Sequence, residues 1–261
     1  MTKSWKLWEA ILWGILAISA PAGASDSAEL KAAEIKTVVD PAEVSNYMTQ
    51  LGLENDRADF GQTYFFDDPD LTFFDLGVVV RLRYRPSSQS DLTVKLRPTE
   101  LREIEKTWVK KEGFKCEIDA VVGKSKVTSC SLTVDLDNDE VRELTEEQES
   151  PGQLLKKKLT QTQIKMLKSR ISEIPWNHGK WWGPVGTRAW KIDEPNLGEL
   201  SAEMWFIRDA PRLLEISIKT KPKNFTKDRE NFLSYLERKE VRASPTPILK
   251  TRYVLKKLAE D

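Results

Sequence analysis

Arginines stand at 81, 83 and 85, and basic residues stand at 95 and 97, each set at every second position. Val80, Leu82 and Tyr84 interleave with the first set; Leu92, Val94 and Leu96 interleave with Thr93, Lys95 and Arg97 in the second. A period of two is the period of a β-strand, so each run gathers its cations on one face and its apolar side chains on the other. Pro86-Ser87-Ser88 between them is turn chemistry, which pairs the runs as a hairpin. A merely solvated face usually mixes signs, because like charges opposite one another across strands destabilise the sheet. Cations gathered on neighbouring strands make sense where an anion carrying several charges lies between them.

Other segments place acids at the matching parity. Glu34 shares a face with Lys36, and Glu203 shares one with Trp205. Glu215, Ser217 and Lys219 alternate with Leu214, Ile216 and Ile218, and Arg188 stands near the start of a further strand at 187–192. An antiparallel sheet with one wet face explains any one of these strands. If all the charged faces converge, the sheet must close into a barrel with a polar lumen, its apolar exterior covered by helices. Little else in the chain offers chemistry. His178 is the sole histidine, and the chain has neither a GxSxG nor a Walker motif. Zinc sites built from histidine and cysteine are thereby excluded. Trp176, Trp181 and Trp182, in the expected loop 176–186, are assigned to covering an apolar barrel end rather than to a lid.

The elements that must position these residues follow from pattern. Strands are predicted at 33–39, 62–66, 76–85, 91–97, 107–110, 115–122, 127–136, 187–192, 200–207 and 212–219. A helix opens at Asp40-Pro41-Ala42-Glu43, with Asp40 as cap and Glu43 closing a capping box, and ends at Gly52. One helical stretch runs from 150 to 174, bounded by Pro151 and Pro175, and further helices are expected near 224–240 and 248–258. The elements do not alternate regularly, as a parallel α/β sheet would require.

Lysine plus arginine equals aspartate plus glutamate at 41 each, so the formal net charge is zero. That argues against a general nucleic-acid binder, which would be basic overall. Residues 1–24 read as a signal peptide: Lys3 and Lys6, an apolar run from Ala10 to Ala20, then small residues. The run falls short of the roughly 20 residues a spanning helix needs, so no membrane span is expected once it is removed; an uncleaved amphipathic anchor is the alternative. The mature chain is expected to be a single domain, 25–261, periplasmic or secreted. Cys116 and Cys130 lie symmetrically about Gly123, so a hairpin centred there would set them face to face. Export favours a disulfide over two free thiols.

The stretch QTYFFDDPDLTFFDLGVVVRLRYRPSSQSDLTVKLRP strongly resembles the core of CYTH domains, the triphosphate tunnel metalloenzymes. AEIK, GTRAWKI, LLEIS and LKTRYVLKKL extend the resemblance over most of the mature chain. It implies an α+β fold: a closed eight-stranded antiparallel β-barrel with a polar lumen and helices packed outside. It also implies a hydrolase that cleaves phosphoanhydride bonds of triphosphate or polyphosphate with help from Mg²⁺ or Mn²⁺. By matching position, Lys36, Arg81, Arg83, Lys95, Arg97 and Arg188 would grip phosphate, and Glu34, Glu203 and Glu215 would hold the metal. The chain departs from the family twice. The Glu-x-Glu-x-Lys signature reads Ala32-Ala33-Glu34-Ile35-Lys36, and the late Glu-x-Glu reads Glu215-Ile216-Ser217. Three readings stay open: an exported metal-assisted hydrolase, a non-catalytic polyanion-binding barrel that has lost part of its metal site, and a barrel whose charges neutralise one another and whose role is protein interaction.

Overall fold

The computed structural model describes residues 28–146 and 150–260; the expected signal peptide lies outside them. Nine strands form the barrel: β1 Leu30–Val38, β2 Asp59–Asp67, β3 Val78–Tyr84, β4 Ser90–Leu96, β5 Phe114–Val121, β6 Val127–Leu136, β7 Lys180–Glu194, β8 Gly198–Phe206 and β9 Leu213–Thr220. They close in the order β1-β5-β6-β4-β3-β2-β7-β8-β9, with β9 pairing back onto β1. The barrel is closed and flanked by helices, as expected, but it has nine strands rather than eight. A ring of strictly alternating directions needs an even number, so nine strands leave one parallel pair, and that pair is β1 with β5.

Eight helices accompany the barrel among the described residues: α1 Val44–Gln50, α2 Thr72–Asp75, α3 Lys106–Val109, α4 Asn138–Glu146, α5 Pro151–Lys158, α6 Gln161–Lys168, α7 Phe225–Arg238 and α8 Lys250–Glu260. Several differ from expectation, and α2 and α4 fall where no helix was expected. The predicted strand at 107–110 is the short α3, whose single turn buries Trp108 in the outer core. The stretch 150–174 is two helices. Thr160 breaks it by accepting the Gln163 N–H at 3.2 Å, and the Gln163 side chain accepts the Thr160 N–H at 3.0 Å. Gln163 then donates to the carbonyls of Leu92 and Leu132, pinning α6 to the barrel wall. Asp40 does cap, accepting from Ala42 N–H, but Pro41–Glu43 is a 3₁₀ turn and Glu43 accepts from Asn46 instead of closing a box.

Alternation decides what lies outside. Val80, Leu82, Leu92, Val94, Leu96, Cys130 and Leu132 turn outward and are buried under α4, α5 and α6. Ile35, Trp190, Leu200, Met204, Ile216 and Ile218 turn outward and are buried under α1 and α7. Each fully buried leucine or isoleucine contributes about 1.5–3 kcal/mol, so these two outer cores are what holds the charged faces inward. A third apolar cluster combines Val38, Phe65, Val185, Trp205 and Leu213 with Val254 and Leu255 of α8. All five strand residues belong to the inward parity, so α8 seals part of one barrel end. Trp182 joins this cluster with Lys180 stacked on it, while Trp181 packs edge-on against Phe66. The expected loop is thus partly strand, since β7 begins at Lys180.

Cys116 and Cys130 form the disulfide, as cross-strand neighbours of the β5–β6 hairpin. Its turn needs Gly123 at φ +80°, a left-handed conformation that costs other residues energy. Gly77 (φ +74°) ends the turn into β3; a side chain there would lie 2.7 Å from the Arg97 carbonyl oxygen.

Candidate functional site in the barrel lumen

The inward faces enclose a cavity of about 1030 Å³. Eleven lysines and arginines line it against five carboxylates. Adding Asp91 and Asp119, which share the inward face and pair with these cations, still leaves cations in excess.

The basic wall comes from β1, β3 and β4. Asp119 of β5, almost wholly buried, organises one half. It lies 3.1 Å from Lys36 Nζ, 3.0 Å from Lys95 Nζ and 3.4 Å from Arg97 Nε, and accepts from Ser129 Oγ at 2.7 Å. Burial alone would raise its carboxyl, but the three cations and that hydrogen bond hold it well below the usual carboxylate range. Lys95 titrates below the ordinary lysine value, because its burial outweighs the pull of Asp119. Asp91 of β4 organises the other half: Arg83 Nη2 lies 2.8 Å and Arg85 Nη1 2.7 Å from Asp91 Oδ2. Arg81 stands between these halves with no ion pair among the described residues, and its Nε is buried without a hydrogen-bond partner. Burial, and then the neighbouring Arg83, bring its guanidinium down to about 10.

Across the lumen lies an acidic corner. Glu203 of β8 and Glu215 of β9 are direct cross-strand neighbours. Lys250, in the first turn of α8, pairs with Glu203 Oε2 and lies 2.8 Å from Glu215 Oε1. Its ammonium also sits 4.4 Å from the Trp205 ring centroid, a cation–π contact. Burial would raise Glu203; Lys250 outweighs it and brings the carboxyl down to about 2. Glu34 pairs with Lys36 and is likewise brought down to about 2 against the effect of burial.

Of the residues singled out from sequence, Lys36, Arg81, Arg83, Lys95, Arg97, Glu34, Glu203 and Glu215 line this one cavity. Arg188 does not. It shares the parity of Trp190, whose side chain packs in the outer core, so it points outward. There it donates to Asn55 Oδ1 at 2.7 Å and stacks between Phe60 and Phe206. The hairpin register also revises the picture of facing cations. Arg83 is opposite Asp91, Arg81 opposite Thr93, and Lys95 opposite Val79, so the positive charges are staggered along the wall.

The three glutamates expected to hold a metal do not converge. Glu34 is opposite Lys219, four residues along β9 from Glu215, which is about 13 Å at the usual strand rise. Among the described residues no group of three or more histidines, cysteines, aspartates and glutamates is placed to hold a metal ion. The three glutamates therefore do not form one shared ligand set: Lys36 takes up Glu34, Lys250 takes up the other pair, and Ser217 faces Lys36 where a further acid is missing.

Three residues central to the site went unread in the sequence. Asp119 alternates with Cys116, Ile118 and Ala120 at the parity of Lys115 and Glu117, so alternation places it inward. Asp91 precedes its strand's cations with the same parity. Lys250 had no local signal, because nothing in a terminal helix announces that its first turn enters a barrel.

No family model matches the chain, and no curated protein matches its sequence. Solved structures do match its fold. One is a candidate adenylate cyclase from Bacillus halodurans, 15% identical, with a TM-score of 0.56 over 86% of this chain and 97% of that one. Another is a candidate adenylyl cyclase from Hippeastrum with a dominant triphosphatase activity, 15% identical, with a TM-score of 0.56 over 82% of this chain and 91% of that one. These neighbours are CYTH-like tunnel proteins, and the chain has the CYTH tunnel fold.

Proposed function

We propose that this barrel binds a triphosphate or polyphosphate anion in its lumen. The observation that carries the reading is Arg81, a guanidinium inside an already cation-rich cavity whose buried Nε has no protein partner. A buried N–H donor without an acceptor is expensive, and the cost is relieved when a ligand supplies the missing acceptor. Guanidinium forks and ammonium groups spaced along one wall suit a linear chain of phosphoryl groups. Asp91 and Asp119 fix the neighbouring cations in place before the ligand arrives, which reduces the ordering cost of binding. Titration calorimetry of the full chain with tripolyphosphate tests this. One ion per chain is expected, with affinity falling as salt rises; no heat of binding at low salt contradicts the reading.

Hydrolysis is the second reading, favoured by the acidic corner that faces the basic wall and by the triphosphatase activity of the Hippeastrum neighbour. Phosphate release from tripolyphosphate decides it. Release that is lost in Glu34→Gln makes the tunnel an enzyme for phosphoanhydride bonds; binding without release makes it a receptor. The Cys116–Cys130 disulfide supports a periplasmic or secreted location, because such bonds persist in oxidising compartments. In that setting inorganic polyphosphate is the more accessible substrate class. No helix among the described residues is long and apolar enough to cross a membrane.

A further inference from the structure

We propose that the Lys250 ammonium stands in for the divalent ion of this tunnel, so that the lumen engages polyphosphate without metal; this rests on the anion-binding reading above. Glu203 and Glu215 face each other across adjacent strands, and two such carboxylates need a cation between them. Lys250 supplies it, with a side chain only 11% exposed, both carboxylates within reach and the Trp205 face against it. An ammonium carries three donors and accepts irregular geometry, whereas Mg²⁺ demands near-octahedral oxygen ligands at short distances. Glu203 and Glu215 already share the ammonium, and Ser217 beside them adds no further carboxylate for a metal ion.

The lysine is also held there by the fold. Val254 and Leu255, one turn further along α8, are buried among Val38, Phe65 and Trp205. A metal ion entering between Glu203 and Glu215 would have to displace Lys250 from a position that the whole helix maintains. Among the described residues the ammonium has two acceptors, Glu203 and Glu215. The third N–H is left for a phosphoryl oxygen of an anion lying against Arg81 and Lys95.

Titration of the full chain with tripolyphosphate, once in EDTA and once with Mn²⁺, is the test, alongside the Lys250→Met variant. The wild type is expected to bind equally, within about twofold, in both conditions, and to take up no Mn²⁺ when titrated with Mn²⁺ alone. Lys250→Met is expected to bind at least roughly tenfold more weakly in EDTA, from the loss of one charge-assisted contact. Adding Ser217→Glu to Lys250→Met is expected to create Mn²⁺ uptake. Wild-type binding that appears only with Mn²⁺ overturns this proposal while leaving anion binding intact. Absence of binding in both conditions overturns the anion-binding reading itself, and this proposal with it. The wild-type titrations stand even if a variant fails to fold.

Discussion

Lys95 Nζ lies 3.0 Å from a carboxylate oxygen of Asp119, and that carboxylate also holds Lys36 and Arg97. One buried acid thus keeps three cations from repelling one another and aims them at a shared cavity. The site depends on this economy: enough negative charge to fold the wall, too little to neutralise it.

Asp119→Asn should therefore destabilise the barrel by about 3–5 kcal/mol, the usual consequence of stripping one partner from a buried ionic cluster. Urea unfolding at pH 7 measures it. A loss below about 1 kcal/mol would show that the three cations do not rely on this carboxylate.

The same carboxylates set the acid limit. Folded Glu34 and Glu203 titrate near 2, and Asp119 is also depressed, all below their unfolded values. In that window the unfolded chain binds more protons than the folded one, so stability rises with pH. Their contribution is complete above about pH 5 and drains away as pH falls toward 2. Unfolding free energy measured from pH 6 to pH 2 should fall continuously, and less steeply in Asp119→Asn. A flat profile contradicts the assignment.

Arg81→Met separates function from stability. Losing a charge-assisted contact to phosphate should weaken tripolyphosphate binding on the order of 10- to 100-fold. Removing an unpaired guanidinium beside Arg83 should stabilise the ligand-free barrel by about 1 kcal/mol, or roughly 2–4 °C in melting temperature. A variant that is both less stable and unimpaired in binding would place Arg81 in a structural role.

Arg188→Ala should leave the tripolyphosphate dissociation constant within about twofold of wild type, since Arg188 stacks on the outer surface between Phe60 and Phe206. A tenfold loss would put it at the ligand. Replacing Cys116 and Cys130 together by alanine should lower stability by about 3 kcal/mol, the loop-closure contribution for a separation of this length, as read from the guanidinium midpoint.

Much of the wall was legible in the sequence because strand parity is strict: once Val80, Leu82 and Leu92 face a covered side, Arg81, Arg83 and Lys95 can only face the other. The same rule places Arg188 outward with Trp190 and Ile192, so its assignment to phosphate came from the resemblance alone. The number of strands was not readable: ten segments carried strand pattern, the resemblance implied eight, and the barrel has nine because 107–110 lies in the short α3 and its C-terminal turn. Strand order and direction were not readable either, and they alone bring Asp119 of β5 against Lys36 of β1 through the parallel pair. Register separates Glu34 from Glu215 in the same way. Lys250 lay beyond reach because its role depends on where a whole helix docks, and local pattern carries no information on that.

The most direct test is a crystal structure of the chain with tripolyphosphate bound. The account predicts phosphoryl groups inside the barrel, within hydrogen-bonding distance of Arg81 and Lys95, with Lys250 still between Glu203 and Glu215. Phosphate found only on the outer surface, with the lumen free of it at saturating concentration, would contradict it.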